Sequence, residues 1–418
     1  MIRSRARHLP ATLLVLATAS LLAAACSSGS SGSSSTPTTA ASGGTTPAGG
    51  TAPVKGYPND GTLKLNQIQM IGSHNSYHLR TPEALRDKIE TVIPGLTSSW
   101  DYQLDPIDKQ LTQGVRQFEI DVHLDPDNRF ATHSLMKLAG LPDDTPAEMK
   151  QPGLKVFHIQ DLDFASSCLT FKACLTTINQ WSDANPGHAP ILVLVEAKAD
   201  PIPETPLPAQ PEIKLAQSVP WDKGNLGQID DEIKAVMKAD KMITPDQVRG
   251  SYPTLEAAVL ANNWPTLGQA RGKLMFALDN DDLRDAYADG HPSLQGRVMF
   301  TDGPPGAPES AYIGQNNAAD PPGKVDDLVK KGYVVRTLPD PDDVMIGKTE
   351  TERRDISIKS GANWLSTNYP VPDTSVGVTY TVTLPGATPG RCNPVTAPPT
   401  CKPSDIEDPA LLTTYRAS

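Results

Sequence analysis

Four short stretches of this chain carry residue types that handle protons and cations. His74 and Asn75 directly follow a mainly apolar run, Ile68 to Ile71. In an extended strand Ile68, Met70, Gly72 and His74 share one face, which puts an imidazole at the C-terminal mouth of a buried strand. Phe118 to His123 alternates, with Glu119, Asp121 and His123 on one face and Phe118, Ile120 and Val122 on the other. Val156-Phe157-His158 brings a second imidazole to a strand end. Ile191 to Lys198 aligns Leu192, Leu194, Glu196 and Lys198, apolar below and charged above, and Arg336 lies near the end of another apolar run. Carboxylates buried side by side repel one another and lose hydration, and a hard cation such as calcium or magnesium relieves both. Asn75 would add a neutral carbonyl oxygen to Glu119, Asp121 and Glu196. Two imidazoles beside such a cation suit transesterification of a phosphodiester: one takes a proton from an attacking hydroxyl, the other returns one to the departing alkoxide. The cation would lower the hydroxyl's pKa and offset charge on the phosphoryl oxygens, while Lys198 and Arg336 would hold the anion. Each residue also has a plainer explanation, a solvated edge strand for the carboxylates and a structural role for His74. Arrival at the same strand ends is what favours chemistry.

Eight short apolar runs would place these groups: Gln67–Ser73, Gln117–Val122, Lys155–Gln160, Ile191–Ala197, Lys273–Leu278, Arg297–Thr301, Tyr333–Thr337 and Trp364–Thr367. Helical patterns lie between several of them. Phe171, Cys174, Leu175, Ile178 and Trp181 recur at helical spacing, and Val325, Leu328 and Val329 mark another amphipathic stretch. Alternation of strands and helices predicts a parallel sheet in an α/β fold, and a count of eight predicts a closed (β/α)8 TIM-type barrel. Such barrels keep their chemistry at the C-terminal ends of the strands. Residues Pro201 to Trp264, rich in Pro and charge, would be an insertion with extra helices. A doubly wound open sheet is the competing architecture, but no Gly-rich dinucleotide loop follows any of the runs.

The remainder of the 418 residues sets bounds. A net charge of −11 argues against nucleic acid as a partner. Arg3, Arg5 and Arg7 precede an apolar run, Leu13 to Ala25, that is short for a bilayer span, so residues 1–26 read as a signal peptide. Ala23-Ala24-Ala25 before Cys26 resembles a bacterial lipoprotein signal, although Ala23 stands where Leu, Val or Ile is usual; secretion without a lipid is the alternative. Either way the protein is expected outside the cytoplasm. Residues 27–56, almost wholly Ser, Gly, Thr, Ala and Pro at first, form a flexible tether. Residues 57–370 would be the single catalytic domain, and 371–418 a Pro/Thr-rich tail. Beyond Cys26 four cysteines remain, and near-sequence pairing gives Cys168–Cys174 and Cys392–Cys401 as disulfides of an oxidising compartment, since the spacings fit zinc poorly.

The order and spacing of the motifs resemble a known family. Gly-Ser-His74-Asn75-Ser-Tyr, Phe-Glu119-Ile-Asp121, Val-Phe-His158 and Pro190-Ile-Leu-Val-Leu-Val-Glu196-Ala-Lys198 look like the catalytic barrel of phosphatidylinositol-specific phospholipase C, most of all the calcium-dependent kind of bacteria and fungi. The region of Cys168 and Cys174, through Trp181 to His188, is similar to that subgroup too. The resemblance runs from about residue 62 to 370. It implies that His74 is the general base on the inositol 2-hydroxyl and His158 the general acid toward diacylglycerol, with His133 and His123 as rivals for the acid. It implies further that Asn75, Glu119, Asp121 and Glu196 bind Ca2+, and that Lys198 contacts phosphate or inositol. A membrane phospholipid would be the substrate and the first product a cyclic inositol phosphate, from an enzyme expected to be a monomer. A glycerophosphodiester phosphodiesterase is the nearest alternative, but that family has His-Arg-Gly where this chain has His74-Asn75-Ser76; both share the ending Trp364-Leu-Ser-Thr-Asn-Tyr369. From another class comes a non-catalytic barrel binding inositol phosphates or glycans. His78, His188 and His291 read as loop or capping groups. Trp100, Tyr102 and Trp264 suit packing or a lipid-facing rim, and Asp279 and Asn280 suit a supporting role at the site.

Overall fold

The computed structural model describes residues 56–92, 94–143, 145–204, 211–340, 351–386 and 389–415. The signal segment, Cys26 and all but the last residue of the tether lie outside the described residues. Ten strands form one sheet: β1 (Ile68–Ser73), β2 (Gln117–Val122), β3 (Ile191–Ala197), β4 (Met242–Ile243), β5 (Leu274–Leu278), β6 (Met299–Thr301), β7 (Tyr312–Gly314), β8 (Val334–Thr337), β9 (Trp364–Thr367) and β10 (Gly390–Cys392). Eight of them run parallel in a ring, β1-β2-β3-β5-β6-β7-β8-β9 and back to β1. The seam between β6 and β7 is a lone parallel bridge, Asp302 to Tyr312. Barrel strands are buried on both faces, which is why they read as continuous Val/Ile/Leu runs; every residue of β1, β2 and β5 is buried.

The ring has the expected number of strands with one different member. Residues 155–160 form no strand. Instead Lys155 makes antiparallel bridges to His123 and Thr170, and β2 pairs directly with β3, Gln117 opposite Leu192. Lys155 is buried, its Nζ 3.1 Å from Asp125, and Phe157 packs against Phe130 and Met149 beneath a long loop. That apolar run therefore serves a satellite core rather than the barrel. The missing place is filled by β7, whose three residues are too short to stand out as a periodic run.

The helix Phe171–Ala184 forms where the spacing predicts it, started by Thr170, whose hydroxyl accepts from the Ala173 amide at 3.3 Å. It buries Phe171, Cys174, Leu175 and Ile178. Lys324–Lys330 likewise buries Val325, Leu328 and Val329, and the insertion carries the helices Gly227–Val236, Pro245–Arg249 and Leu255–Leu260. Both expected disulfides are present. No helix among the described residues is long and apolar enough to cross a membrane.

The C-terminal segment closes the lower end of the ring. β10 pairs antiparallel with the first half of β1, Ile68 opposite Cys392, while the second half of β1 meets β2 and places Gly72 opposite Gln117. A Cβ at residue 72 would lie 1.9 Å from the Gln117 amide oxygen, so only glycine allows this approach. Beyond β10, Glu407 forms a buried ion pair with Arg116, just before β2, and accepts from the Ala189 amide at 2.9 Å. Removal of one partner leaves an uncompensated buried charge, so Glu407→Gln should lower stability by about 3 kcal/mol in denaturant titration.

His188 lies in the same lower layer, bonded to the Ser182 hydroxyl at 2.7 Å and the Ala189 carbonyl at 2.6 Å. Burial pushes its pKa down to about 4. An unfolded histidine titrates at about 6.5, so the unfolded chain gains its proton first as pH falls. The contribution to stability is complete above that pH and is lost between about 6.5 and 4. Denaturant titrations at stepped pH should show this slope, and His188→Gln should flatten it.

Candidate active site

The C-terminal ends of the ring strands hold most of the polar groups singled out above. His74 and Asn75 follow β1 in a tight turn, where Asn75 adopts φ 48°, a left-handed conformation that asparagine tolerates well. Ser76 fixes the turn to β2: its amide donates to the Glu119 carbonyl at 2.9 Å and its hydroxyl accepts from the Glu119 amide at 2.8 Å. The Asn75 Nδ2 donates to the Tyr102 hydroxyl at 3.0 Å, which leaves Oδ1 buried with no donor.

Glu119, Asp121 and Glu196 place one oxygen each within 4.8 Å of the others. Neither oxygen of Asp121 receives a hydrogen bond; the Tyr77 hydroxyl is nearby and Lys198 Nζ stands at 3.7 Å. Burial, then the neighbouring carboxylates, push the Asp121 pKa well up, and burial raises Glu119 to about 7 against the opposing charge of Arg336. Arg336 forms a close ion pair with Glu119 and also donates to Asn316 at 2.6 Å and Ser366 at 3.1 Å. Lys198 reaches Glu196 and Asp200, each at 3.2 Å. Against the penalty of burial, it holds Glu196 below the usual carboxylate range. Thus the two cations expected to bind an anion are here held among carboxylates.

His74 has about a quarter of its side chain open to solvent. Its Nδ1 is 2.7 Å from the Asn368 side-chain oxygen, so Nδ1 carries the proton and Nε2, 3.4 Å from Glu119, is free to accept one. Burial, helped by Arg336, lowers its pKa to about 4, so the ring is neutral near pH 7. Asn368 is itself held by Asp340, which accepts from the Asn368 amide at 2.6 Å and from the Thr367 hydroxyl at 2.7 Å. Sequence reasoning passed over Asn368 and Asp340, although Asn368 lies inside the noted Trp364–Tyr369 motif.

His158 sits in a loop rather than on a strand, with Nδ1 2.8 Å from Asp163. The same carboxylate oxygen receives His78 Nε2 at 2.9 Å, and the other receives the Thr81 hydroxyl at 2.7 Å. The expectation that His78 is a loop or capping group is therefore corrected: it is fully buried and shares a carboxylate with His158. Burial lowers the His158 pKa, Asp163 opposes this, and the charge of Lys198 adds to the lowering, which places His158 within electrostatic reach of the carboxylate cluster. The rivals stand differently. His123 is buried against Phe157, bonded to its carbonyl at 2.9 Å and lowered to about 3 by burial. His133 pairs with Asp161 at 3.2 Å and stacks on Phe164.

Other expectations sort out simply. His188 is a core group, His291 caps a loop through the Gln295 carbonyl, and Trp264 is core, donating to the Gly332 carbonyl at 2.8 Å. Trp100 meets the His158 ring edge-on at 6.1 Å, and Tyr102 supports Asn75. Asn280 ties off β3 through the Ala197 amide at 2.7 Å. Asp279 and the unforeseen Asp302 are both raised to about 7 by burial at the ends of β5 and β6. An eight-stranded parallel barrel keeps its chemistry at this end of the strands, and crowded carboxylates beside buried oxygens that lack donors are a donor set that suits a hard cation.

Comparison with known proteins narrows the class. The family model described as "Phosphoinositide phospholipase C, Ca2+-dependent" matches residues 63–394. The chain belongs to that family, and it is a phospholipase C enzyme. Similar solved structures include the calcium-dependent phosphoinositol-specific phospholipase C of a Pseudomonas species, at 15% identity and TM-score 0.49 over 81% of this chain and 99% of that one. The calcium-dependent enzyme of Streptomyces antibioticus is similar at 17% identity and TM-score 0.47, over 74% and 95%. The enzyme of Listeria monocytogenes is similar at 12% identity and TM-score 0.39, over 72% and 81%. No curated protein matches the chain.

Three crowded carboxylates, with neither oxygen of Asp121 hydrogen-bonded, stand against stability in the absence of a cation. Asp121→Asn should therefore stabilise the protein in chelator by about 1–2 kcal/mol, read as a higher midpoint in thermal melting.

Proposed function

We propose that the chain cleaves phosphatidylinositol to diacylglycerol and a cyclic inositol phosphate, with His74 as general base and His158 as general acid. The observation that carries this reading is the contact of His74 Nδ1 with the Asn368 side-chain oxygen: that oxygen accepts from Nδ1–H, which leaves Nε2, beside Glu119, free to accept a proton. There it would take the proton of the inositol 2-hydroxyl as that oxygen bonds to phosphorus. Asp163 holds His158 by Nδ1, which leaves Nε2–H to protonate the diacylglycerol oxygen as its bond to phosphorus breaks. The negative phosphate favours the imidazolium of His158, offsetting the downward pull of burial. Lys198 and Arg336 would contact the phosphate or inositol, turning from the carboxylates that hold them.

Asn75, Glu119, Asp121 and Glu196 would hold calcium. The fit rests on the buried acceptor oxygens of Asn75 and Asp121, which lack donors, and on an all-oxygen donor set. When bound, calcium would lower the pKa of the attacking hydroxyl and offset phosphoryl charge. The two disulfides and the signal-like N-terminus support a site of action outside the cytoplasm, with Cys26 as the lipid attachment point.

Release of inositol phosphate from phosphatidylinositol vesicles tests the whole assignment. Activity should vanish in chelator and return with calcium, and His74→Ala and His158→Ala should each lower kcat by about a hundredfold or more. Full activity in chelator would sink the metal assignment, and full activity of His74→Ala the base. Tyr102→Phe removes the hydroxyl that accepts from Asn75 Nδ2 and orients it; calorimetry should show calcium bound about tenfold more weakly.

A further inference from the structure

A cavity of about 430 Å3 lies beside the His158 loop and takes no part in the chemistry above. Its walls come from the segments that leave the C-terminal ends of β1 and β2, which is the catalytic end of the barrel. Leu79, Met136, Leu141, Met149, Phe164 and Leu169 are among the apolar side chains that line it. The volume falls within the usual range of small-molecule sites. Four polar side chains also touch it, and each is already engaged. His133 pairs with Asp161; Asp143 accepts from the His133 amide at 3.0 Å and from the Thr145 hydroxyl at 2.6 Å; the Ser166 hydroxyl donates to the Cys168 carbonyl at 2.9 Å. The walls therefore suit an apolar occupant better than a polar one.

The cavity is also braced open. His133 stacks flat on Phe164 at 3.7 Å, Leu79 bonds to the Ala165 carbonyl at 3.1 Å, and the Cys168–Cys174 disulfide anchors the next turn. Its relation to the acid is direct. Phe164 follows Asp163, the residue that holds His158. Trp100, edge-on to His158, belongs to the same apolar cluster as Met136, Leu141 and Phe164, so hydrophobic ground runs from the acid to the cavity.

We propose that this cavity binds an acyl chain of the phospholipid. His158 protonates the glycerol oxygen, so the diacylglycerol half of the substrate must lie on the His158 side of phosphorus, and the cavity offers it an apolar space beside the His158 loop. The proposal rests on the lipid-cleavage reading of the mouth. It makes the enzyme a reader of the tail as well as of the head group.

Two substrates with the same head group test it: monomeric dihexanoyl phosphatidylinositol, and glycerophosphoinositol, which has no chains. Met136→Trp and Leu169→Trp fill the cavity from half-buried positions outside the residues assigned to the chemistry. Each should lower kcat/KM for the dihexanoyl lipid by about tenfold or more and leave glycerophosphoinositol cleavage unchanged. Pyrene-labelled dodecanoate should bind the wild-type protein saturably, one per chain, and bind neither variant. Equal losses on both substrates, or an unchanged dihexanoyl rate in both variants, overturns the proposal. Wild-type protein inactive on both substrates would sink the lipid-cleavage reading instead, and the pyrene titration then decides the cavity: saturable binding lost in both variants upholds it, and absence of binding to wild type overturns it.

Discussion

Mutual repulsion of buried carboxylates at one end of a barrel is the constraint around which this protein is arranged. Glu119 and Asp121 project from one strand and meet Glu196 from the next. The fold meets that repulsion with Lys198, beside Glu196 at the end of β3, and Arg336, from β8. Arg336 in turn needs Asn316 and Ser366 to hold it, and His74 stands between Glu119 and Asn368. The cost of this arrangement in stability is borne elsewhere, by an apolar ring and by a closed lower end where Arg116 and Glu407 are fully matched.

Much of this was legible in the chain because it depends on period-two alternation. Glu119, Asp121 and Glu196 could be placed from Phe118 to Val122 and from Ile191 to Ala197, since those runs are strands and little else. The family resemblance then joined His74 and His158 to them as the proposed acid–base pair. Alternation failed where the apolar residues answer to something other than the barrel. Val156 and Phe157 imitate a strand but pack under a loop, and Tyr312 to Gly314 forms a strand too brief to show a period.

What sequence reasoning missed has a common character. Asn368, Asp340, Asp163 and His78 surround the two imidazoles and are linked to them by hydrogen bonds. Two of these contacts are distant in sequence, Asn368 lying 294 residues from His74 and Asp163 lying 85 from His78, while Asp163 and His158 are close in sequence but sit in a loop with no strand period. Spacing along a strand carries no trace of such pairs. His78 was the clearest loss, for a histidine buried on a carboxylate looks in sequence like any polar residue of a loop.

The pairing of β1 bears on when this protein can fold. Its partners besides β2 are β9 and β10, the last strands of the chain, and the lower layer waits for Glu407. Until the segment that carries β9, β10 and Glu407 is in place, that strand keeps an open edge, so the contacts that complete the ring are among the most distant in the sequence. Closure of so long a loop has to precede the contacts that reward it, which makes completion of the ring a late and slow event in folding.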